Sequence, residues 1–381
     1  MKSLIVIQRW SETEAQNPAS GRPYIDLVLN CLGFAEINVV ELIPGERFDL
    51  EMVDDDVRLV LVQGQRSSYH SNSNRLRRSL LSSLGLSLGL EAEGSDRLRV
   101  VGAKPLHDKD ENVAGFAIKR QGRIVAYFEE SIWALHKDFT KVMNSFLSEE
   151  RSSRRIRFNE CWLVEGAGHS LELAKFLEDE EIAQCQVKYL PSGDAAILLP
   201  KFMGDDFKNR LKENLKNRLY AKKPQPLEVG LVDLFAEHKA TVSTAESCTS
   251  GLISSRLAST PGSSNYLQSG FVTYSRKAKI DSLGVSEVLL KKFGEVSREV
   301  AIAMARGAQR TSGSTLAVSA TGIAGPGGGS DKKPVGTVFL AAVSSDGEAI
   351  EHKALFKGSR DRVRFQASQT ALHLLRRMLN R

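Results

Sequence analysis

After residue 226 the chain falls into a regular alternation. Short apolar runs, each the length of a strand, are separated by stretches with helical spacing. The spacing predicts a helix over Leu227–His238, a strand over Thr241–Ala245 and a helix over Thr249–Ala258. A strand over Gly270–Tyr274 follows, then two helices opening at Ser286 and Ser297. Ser297 with Glu299 just inside is a helix start with an acid in its first turn. Strands over Thr315–Ser319, Gly336–Val343 and Glu348–Phe356 precede a terminal helix from about Asp361 to Leu379. Strands that alternate with helices must bury both faces, so residues 226–381 read as an α/β sandwich.

The 381 residues leave room for two further units. Residues 1–150 mix apolar runs (Leu4–Ile7, Val57–Val62, Ile124–Tyr127) with polar stretches and suggest a first α/β domain. A charge-rich join, 148–158, leads to a small α+β domain over 155–223, and the prolines of KKPQP, 222–226, close it. The small domain should contain a strand (Cys161–Val164), a helix (Ser170–Leu177), two strands (Gln184–Tyr189, Ala195–Leu199) and a helix (Asp205–Tyr220). On the last helix Phe207, Leu211, Leu215 and Leu219 would form one apolar face. Lys208, Arg210, Lys212, Lys216 and Arg218 lie on its other faces. They read as a solvated surface, because no aromatic platform for nucleic acid stands beside them.

Composition sets outer limits. With 41% hydrophobic and 26% charged residues, the chain is neither collagen-like, coiled-coil nor largely disordered. Its net charge of +6 suits an anionic ligand without arguing for nucleic acid. No apolar run approaches the roughly 18 residues of a membrane span. MKSLIVIQRW has too short an apolar patch for a signal peptide, so the expected location is cytoplasmic, away from membranes. The four cysteines show no C-x-x-C spacing, and no His/Asp/Glu cluster suggests a metal; neither metal nor cofactor is expected.

Two stretches carry chemistry. In STAESCTSGLISSRL, 243–257, a strand runs into a predicted helix start with Ser247 at its N-terminus. Free amides at such a point hold an oxyanion or phosphate. Taken locally, Ser247 or Thr249 as a plain helix cap is the commoner reading. Cys248 is then a small buried residue, with a rival role as nucleophile. In SATGIAGPGGGSDKKPVGT, 319–337, Gly322, Gly325, Gly327, Gly328 and Gly329 follow a strand. The spacing fits neither a Walker loop nor a dinucleotide fingerprint, and a long hairpin loop competes with a ligand-binding role. Between them, GFVTYSRKAKI, 270–280, holds Tyr274 and Lys279. In isolation Lys279 reads as a surface charge; desolvated, it is a base, with Tyr274 as a proton relay. No histidine lies in these motifs, which disfavours a Ser-His-Asp triad and leaves Ser/Tyr/Lys as the hydrolytic arrangement.

Together these motifs resemble the C-terminal domain of the competence/damage-inducible CinA family, which includes nicotinamide-nucleotide amidases. The resemblance rests on T-A-E-S-C-T at 244–249, G-F-V-T-Y-S at 270–275 with A-K at 278–279, and G-x-V-S at 294–297. S-A-T-G-I-A-G-P-G-G-G at 319–329, K-P-V-G-T at 333–337 and R-D-x-V-R at 360–364 complete it. Ser250 stands where the family usually has glycine. The resemblance implies metal-independent hydrolysis of the carboxamide of nicotinamide mononucleotide to nicotinate mononucleotide and ammonia. It assigns the nucleophile to Ser247, the base to Lys279 and an assisting role to Tyr274. Substrate binding is expected from Cys248, Thr249, Gly322, Gly325, Gly327, Gly328, Arg360 and Arg364, with an arginine on the phosphate, in a homo-oligomer such as a dimer.

The front of the chain resembles full-length CinA proteins more faintly, with a molybdopterin-binding-like domain over 1–150 and a small KH-like linking domain. Where a glycine-rich loop with an acidic pair is expected, Val57–Gly64 is followed by QRSSYH. The segment 124–139 lacks the family's prolines. This domain is therefore expected to keep its fold without metal-dependent pyrophosphatase activity. A nucleotide-binding regulatory member without turnover is the alternative to an active amidase, and a Cys248-dependent hydrolase is a third reading.

Overall fold

Strands with apolar side chains on both faces need cover on both sides, and each half of this chain supplies it. In the computed structural model, residues 2–8, 29, 36–42, 48, 50–63, 72–86, 88–90, 98–107, 113–120, 122–128, 142–143, 145–146, 160–166, 185–200 and 202–381 are described. The chain divides into two units, Met1–Glu160 with Leu198–Phe202, and Cys161–Ile197 with Met203–Arg381.

The first unit is built on β1 (Lys2–Gln8), β2 (Glu36–Leu42), β3 (Val57–Gln63), β6 (Lys104–His107), β7 (Val113–Arg120) and β8 (Arg123–Phe128). They form one sheet in the order β2-β1-β3-β8-β7-β6, parallel from β2 to β8 and antiparallel beyond. A ribbon of β4 (Leu88–Leu90) and β5 (Leu98–Val100) stands apart from that sheet. In β3, Leu59 and Leu61 enter one core while Val60 and Val62 enter the other, packed with Leu80 and Leu81 of α1 (Asn72–Ser83). The loop after Gln63, residues 129–139, the join 148–158 and the helix expected over Ser170–Leu177 lie outside the described residues.

The second unit opens with a small sheet of β9 (Glu160–Val164), β10 (Gln186–Tyr189), β11 (Ala195–Leu199) and β12 (Leu219–Ala221), in the order β10-β11-β9-β12. Here the sequence expectation needs a correction. The helix expected to reach Tyr220 is α2 (Asp205–Leu215). It breaks at Lys216, whose φ of 47° lies in the left-handed region, and Leu219 enters the edge strand β12. Phe207, Leu211 and Leu215 remain its buried stripe.

The rest of the unit is three-layered. β13 (Val242–Glu246), β14 (Leu267–Val272), β15 (Leu316–Gly322), β16 (Thr337–Ser344) and β17 (Ala349–Leu355) form a sheet in the order β14-β13-β15-β16-β17. The first three run parallel; β16 and β17 are antiparallel. One face packs on α3 (Leu227–Glu237), α4 (Leu252–Ala258) and α8 (Arg360–Leu379) through Leu231, Phe235, Ile253, Leu257, Leu372 and Leu375. The other packs on α5 (Arg276–Leu283), α6 (Glu287–Phe293) and α7 (Arg298–Ser312) through Leu283, Leu290, Val300 and Met304. Each large side chain so buried contributes about 1.5–3 kcal/mol. Among the described residues no helix is long and apolar enough to cross a membrane.

Candidate active site

β13 delivers its last residue, Glu246, fully buried beneath the nucleophile candidate. An acid at such a point needs partners, and Glu246 has four hydrogen-bond donors. Its carboxylate accepts from the amides of Ile253 (3.0 Å) and Ser254 (2.8 Å) and from the hydroxyls of Ser254 (2.7 Å) and Thr244 (3.1 Å). The first amides of α4 are therefore already occupied. This corrects two expectations. The helix begins at Leu252, not Thr249, and its N-terminal amides are not available to a substrate oxyanion.

Ser247 instead stands in the turn 247–251 between strand and helix. Its amide donates to Ala320 O (2.9 Å), and its carbonyl accepts from Ser250 N (3.2 Å). The turn closes through Ser250 at φ 50° and Gly251 at φ 89°. A side chain in the left-handed region costs roughly 1–2 kcal/mol, which accounts for the glycine usual at position 250.

Lys279 lies one turn into α5, whose N-cap Ser275 accepts from Ala278 N (3.1 Å). The lysine is 0% exposed, and its Nζ has three oxygen neighbours. They are Ser247 Oγ at 3.1 Å, Thr273 O at 2.8 Å and Tyr274 O at 3.2 Å. Burial pushes its pKa down, while the Glu295 carboxylate, 3.9 Å away and 38% exposed, opposes that shift. Lys279 thus reaches Ser247 directly, and the expected relay through the tyrosine hydroxyl is not how the two are joined. Tyr274 meets the lysine with its carbonyl. Its ring is 59% exposed, and its hydroxyl accepts from Arg360 (3.3 Å).

The other expected residues separate by role. Cys248 packs in the core with Leu231 and Ile253, and burial pushes its thiol up to about 12. It remains a protonated thiol at neutral pH, so only its backbone is available to a ligand. Thr249 is buried with an unpartnered hydroxyl, and its carbonyl accepts from Arg364 (3.1 Å). Arg360 donates to Gly325 O (2.8 Å). The first turn of α8 therefore ties the serine turn to the glycine loop. The glycines divide as well. At Gly322 a Cβ would strike Val338 and the Thr337 carbonyl, which is a packing requirement; at Gly327 it would meet open space. Lys333 fixes the loop from behind, donating to Phe293 O (3.3 Å) and Val296 O (2.6 Å).

Sequence reasoning missed Glu246, Glu295 and Thr273. Glu246 carried a visible signal, since a carboxylate ending an apolar strand implies buried donors. Glu295 and Thr273 carried none, because their roles depend on where a lysine from another element ends.

The family model described as the CinA C-terminal domain matches residues 224–379. A protein named as competence-damage inducible from Clostridium beijerinckii is 30% identical over 96% of this chain and 87% of its own. One from Caldicellulosiruptor bescii is 34% identical over 73% of this chain and 70% of its own. The competence/damage inducible protein CihA of Agrobacterium tumefaciens, a solved structure, is 44% identical. It covers 41% of this chain and 94% of its own, with a TM-score of 0.40. On the strength of relatives aligned over most of both chains, this protein belongs to the CinA competence/damage-inducible family.

Proposed function

We propose that the chain hydrolyses the carboxamide of nicotinamide mononucleotide to nicotinate mononucleotide and ammonia, with Ser247 as nucleophile. The observation that carries this reading is the buried Lys279 Nζ held 3.1 Å from Ser247 Oγ between two carbonyls. A neutral amine has two N–H bonds and one lone pair. The carbonyls of Thr273 and Tyr274 take the two hydrogens, and the lone pair faces the serine hydroxyl. Burial supports the neutral form.

In this reading Lys279 takes the Ser247 proton as Oγ attacks the amide carbon. The turn amides of Cys248 and Thr249 receive the oxyanion; a well-placed donor of this kind is typically worth about 3–4 kcal/mol. The resulting ammonium returns the proton to the leaving nitrogen, and ammonia departs. Water, deprotonated by the same amine, then cleaves the ester and frees the carboxylate. Arg360 and Arg364, in the first turn of α8, suit the phosphate. Arg360 reaches Tyr274 within one chain. A homodimer is part of the proposal, tested by light scattering.

The direct test is ammonia release from nicotinamide mononucleotide with EDTA present, in the parent, Ser247→Ala and Cys248→Ala. Release by the parent and Cys248→Ala but not by Ser247→Ala is expected. A folded parent that binds the nucleotide and releases nothing would instead support a regulatory binding protein.

A further inference from the structure

A carboxylate can act steadily on a buried lysine only if the backbone that carries it is held in place. Glu295 lies in the turn 294–297 that joins α6 to α7. Its carboxylate is 3.9 Å from Lys279 Nζ and accepts from Arg276 Nε (3.3 Å). Side chains take up the carbonyls around it. Thr321 Oγ1, near the end of β15, donates to Glu295 O (2.8 Å). Ser297 Oγ, at the N-cap of α7, donates to Gly294 O (3.0 Å). Lys333 Nζ donates to Phe293 O (3.3 Å) and Val296 O (2.6 Å), one carbonyl on either side of Gly294 and Glu295. Phe293 O is among the carbonyls a helix leaves unpaired at its C-terminus, and a cation suits that end.

The other end of Lys333 belongs to the glycine loop. Its amide donates to Ser330 O (3.1 Å), and its carbonyl accepts from Ser330 N (2.9 Å). Lys332 beside it is exposed, whereas Lys333 is half-buried. One side chain thus joins the loop that holds Gly325 and Gly327 to the turn that holds Glu295.

We propose that Lys333 is a positioning residue: it fixes the turn that places the Glu295 carboxylate at Lys279, and so ties the setting of the base to the glycine loop. The inference rests on the reading of Lys279 as the base. Cys248 of the serine turn faces Lys279 as a protonated thiol, and Arg276, one turn earlier on α5, is paired with Glu295. Arg310 of α7 meets α5 at Leu283 O, at its opposite end. Glu295 is thus the anion that opposes the effect of burial on the lysine, and displacing it lets the lysine titrate lower. Loss of the Lys333 charge by itself would act the other way, because removing a cation eases protonation of its neighbours. The sign of the change separates position from charge.

The test is an NMR titration of the Lys279 side chain in the full chain carrying isotope-labelled lysine, its signal assigned by loss in Lys279→Met. This readout needs no turnover, so it stands apart from the ammonia assay. In Lys333→Met the Lys279 midpoint should fall below that of the parent; in Lys332→Met it should stay at the parent value. Lys333→Met added to Glu295→Gln should bring no further fall. Thr321→Val, which frees Glu295 O from the other side, should lower the midpoint as Lys333→Met does, and it carries the test if Lys333→Met does not fold. A midpoint that falls in a chain that releases no ammonia would count against the amidase reading and leave the positioning role standing. A midpoint that stays or rises in folded Lys333→Met, an equal fall in Lys332→Met, or a further fall in the double variant would overturn the proposal. So would an unmoved midpoint in Thr321→Val where Lys333→Met is unfolded.

Discussion

At the scale of the residue, the site depends on a lysine that the fold buries completely. In the proposed reaction the neutral amine is the working form, so kcat/KM should rise with pH through the Lys279 titration. Glu295 is the carboxylate that raises that pKa. Removing its charge in Glu295→Gln should move the rising limb to lower pH with the reaction otherwise intact; a limb that stays put, or moves up, would detach Glu295 from the lysine. Glu246 acts on the fold instead. Glu246→Ala strands two amides and two hydroxyls that now share its carboxylate, and should cost about 3 kcal/mol in chemical denaturation. Ser250→Gly works in the other direction. It relieves a left-handed serine, and should stabilise the protein by about 0.5–1 kcal/mol after the added freedom of the unfolded chain is counted.

At the scale of the element, the second half of the chain was legible because its central strands β15 and β16 are nearly continuous buried runs and turn or helical stretches separate its strands. The order of strands and helices from Leu227 onward follows that pattern, although the strand expected over Gly270–Tyr274 runs over Leu267–Val272 and leaves Tyr274 beyond its end. The exceptions have physical causes. RKAKIDSL forms α5 with only Lys279 and Leu283 buried, so no apolar stripe announced it. The turn after Ser247 has the composition of a helix cap, and only its backbone angles distinguish the two. The break at Lys216 is a left-handed residue with no glycine to mark it. Ser247, Lys279 and the arginines could be nominated from spacing; the direct lysine–serine contact could not.

The seam between small sheet and α8 makes its own prediction. Burial raises the Asp194 and Glu165 carboxyls, but His373, Arg377 and Arg376 outweigh it at Glu165, and His373 with the Gly166 and Gln369 hydrogen bonds outweighs it at Asp194, so both lie below their ordinary values. A carboxyl whose folded pKa is depressed contributes stability above its unfolded pKa and loses it as pH falls through the folded value. Acid should therefore loosen this seam below about pH 4. Hydrogen exchange followed from pH 7 downward, corrected for intrinsic rates, should lose protection in β9–β11 before β13–β16. Simultaneous loss would show that the seam is not the weak point.

At the scale of the whole molecule, α8 is a beam of roughly 30 Å with a different task at each end. Its first turn fastens Thr249, Gly325 and Tyr274; its last turns fasten Glu165 and Asp194. Those two acids belong to residues that precede 224, where the family match begins. A fragment begun at residue 224 would keep Ser247, Lys279, Arg360 and Arg364 while losing both acids. His373, Arg376 and Arg377 would then face solvent as a basic stripe. Such a fragment should bind a cation exchanger more tightly than the full chain, carry RNA through purification and release it only in salt. The small sheet, in this light, is an electrostatic stopper: it makes the second half of the chain agreeable company for the polyanions of a cell.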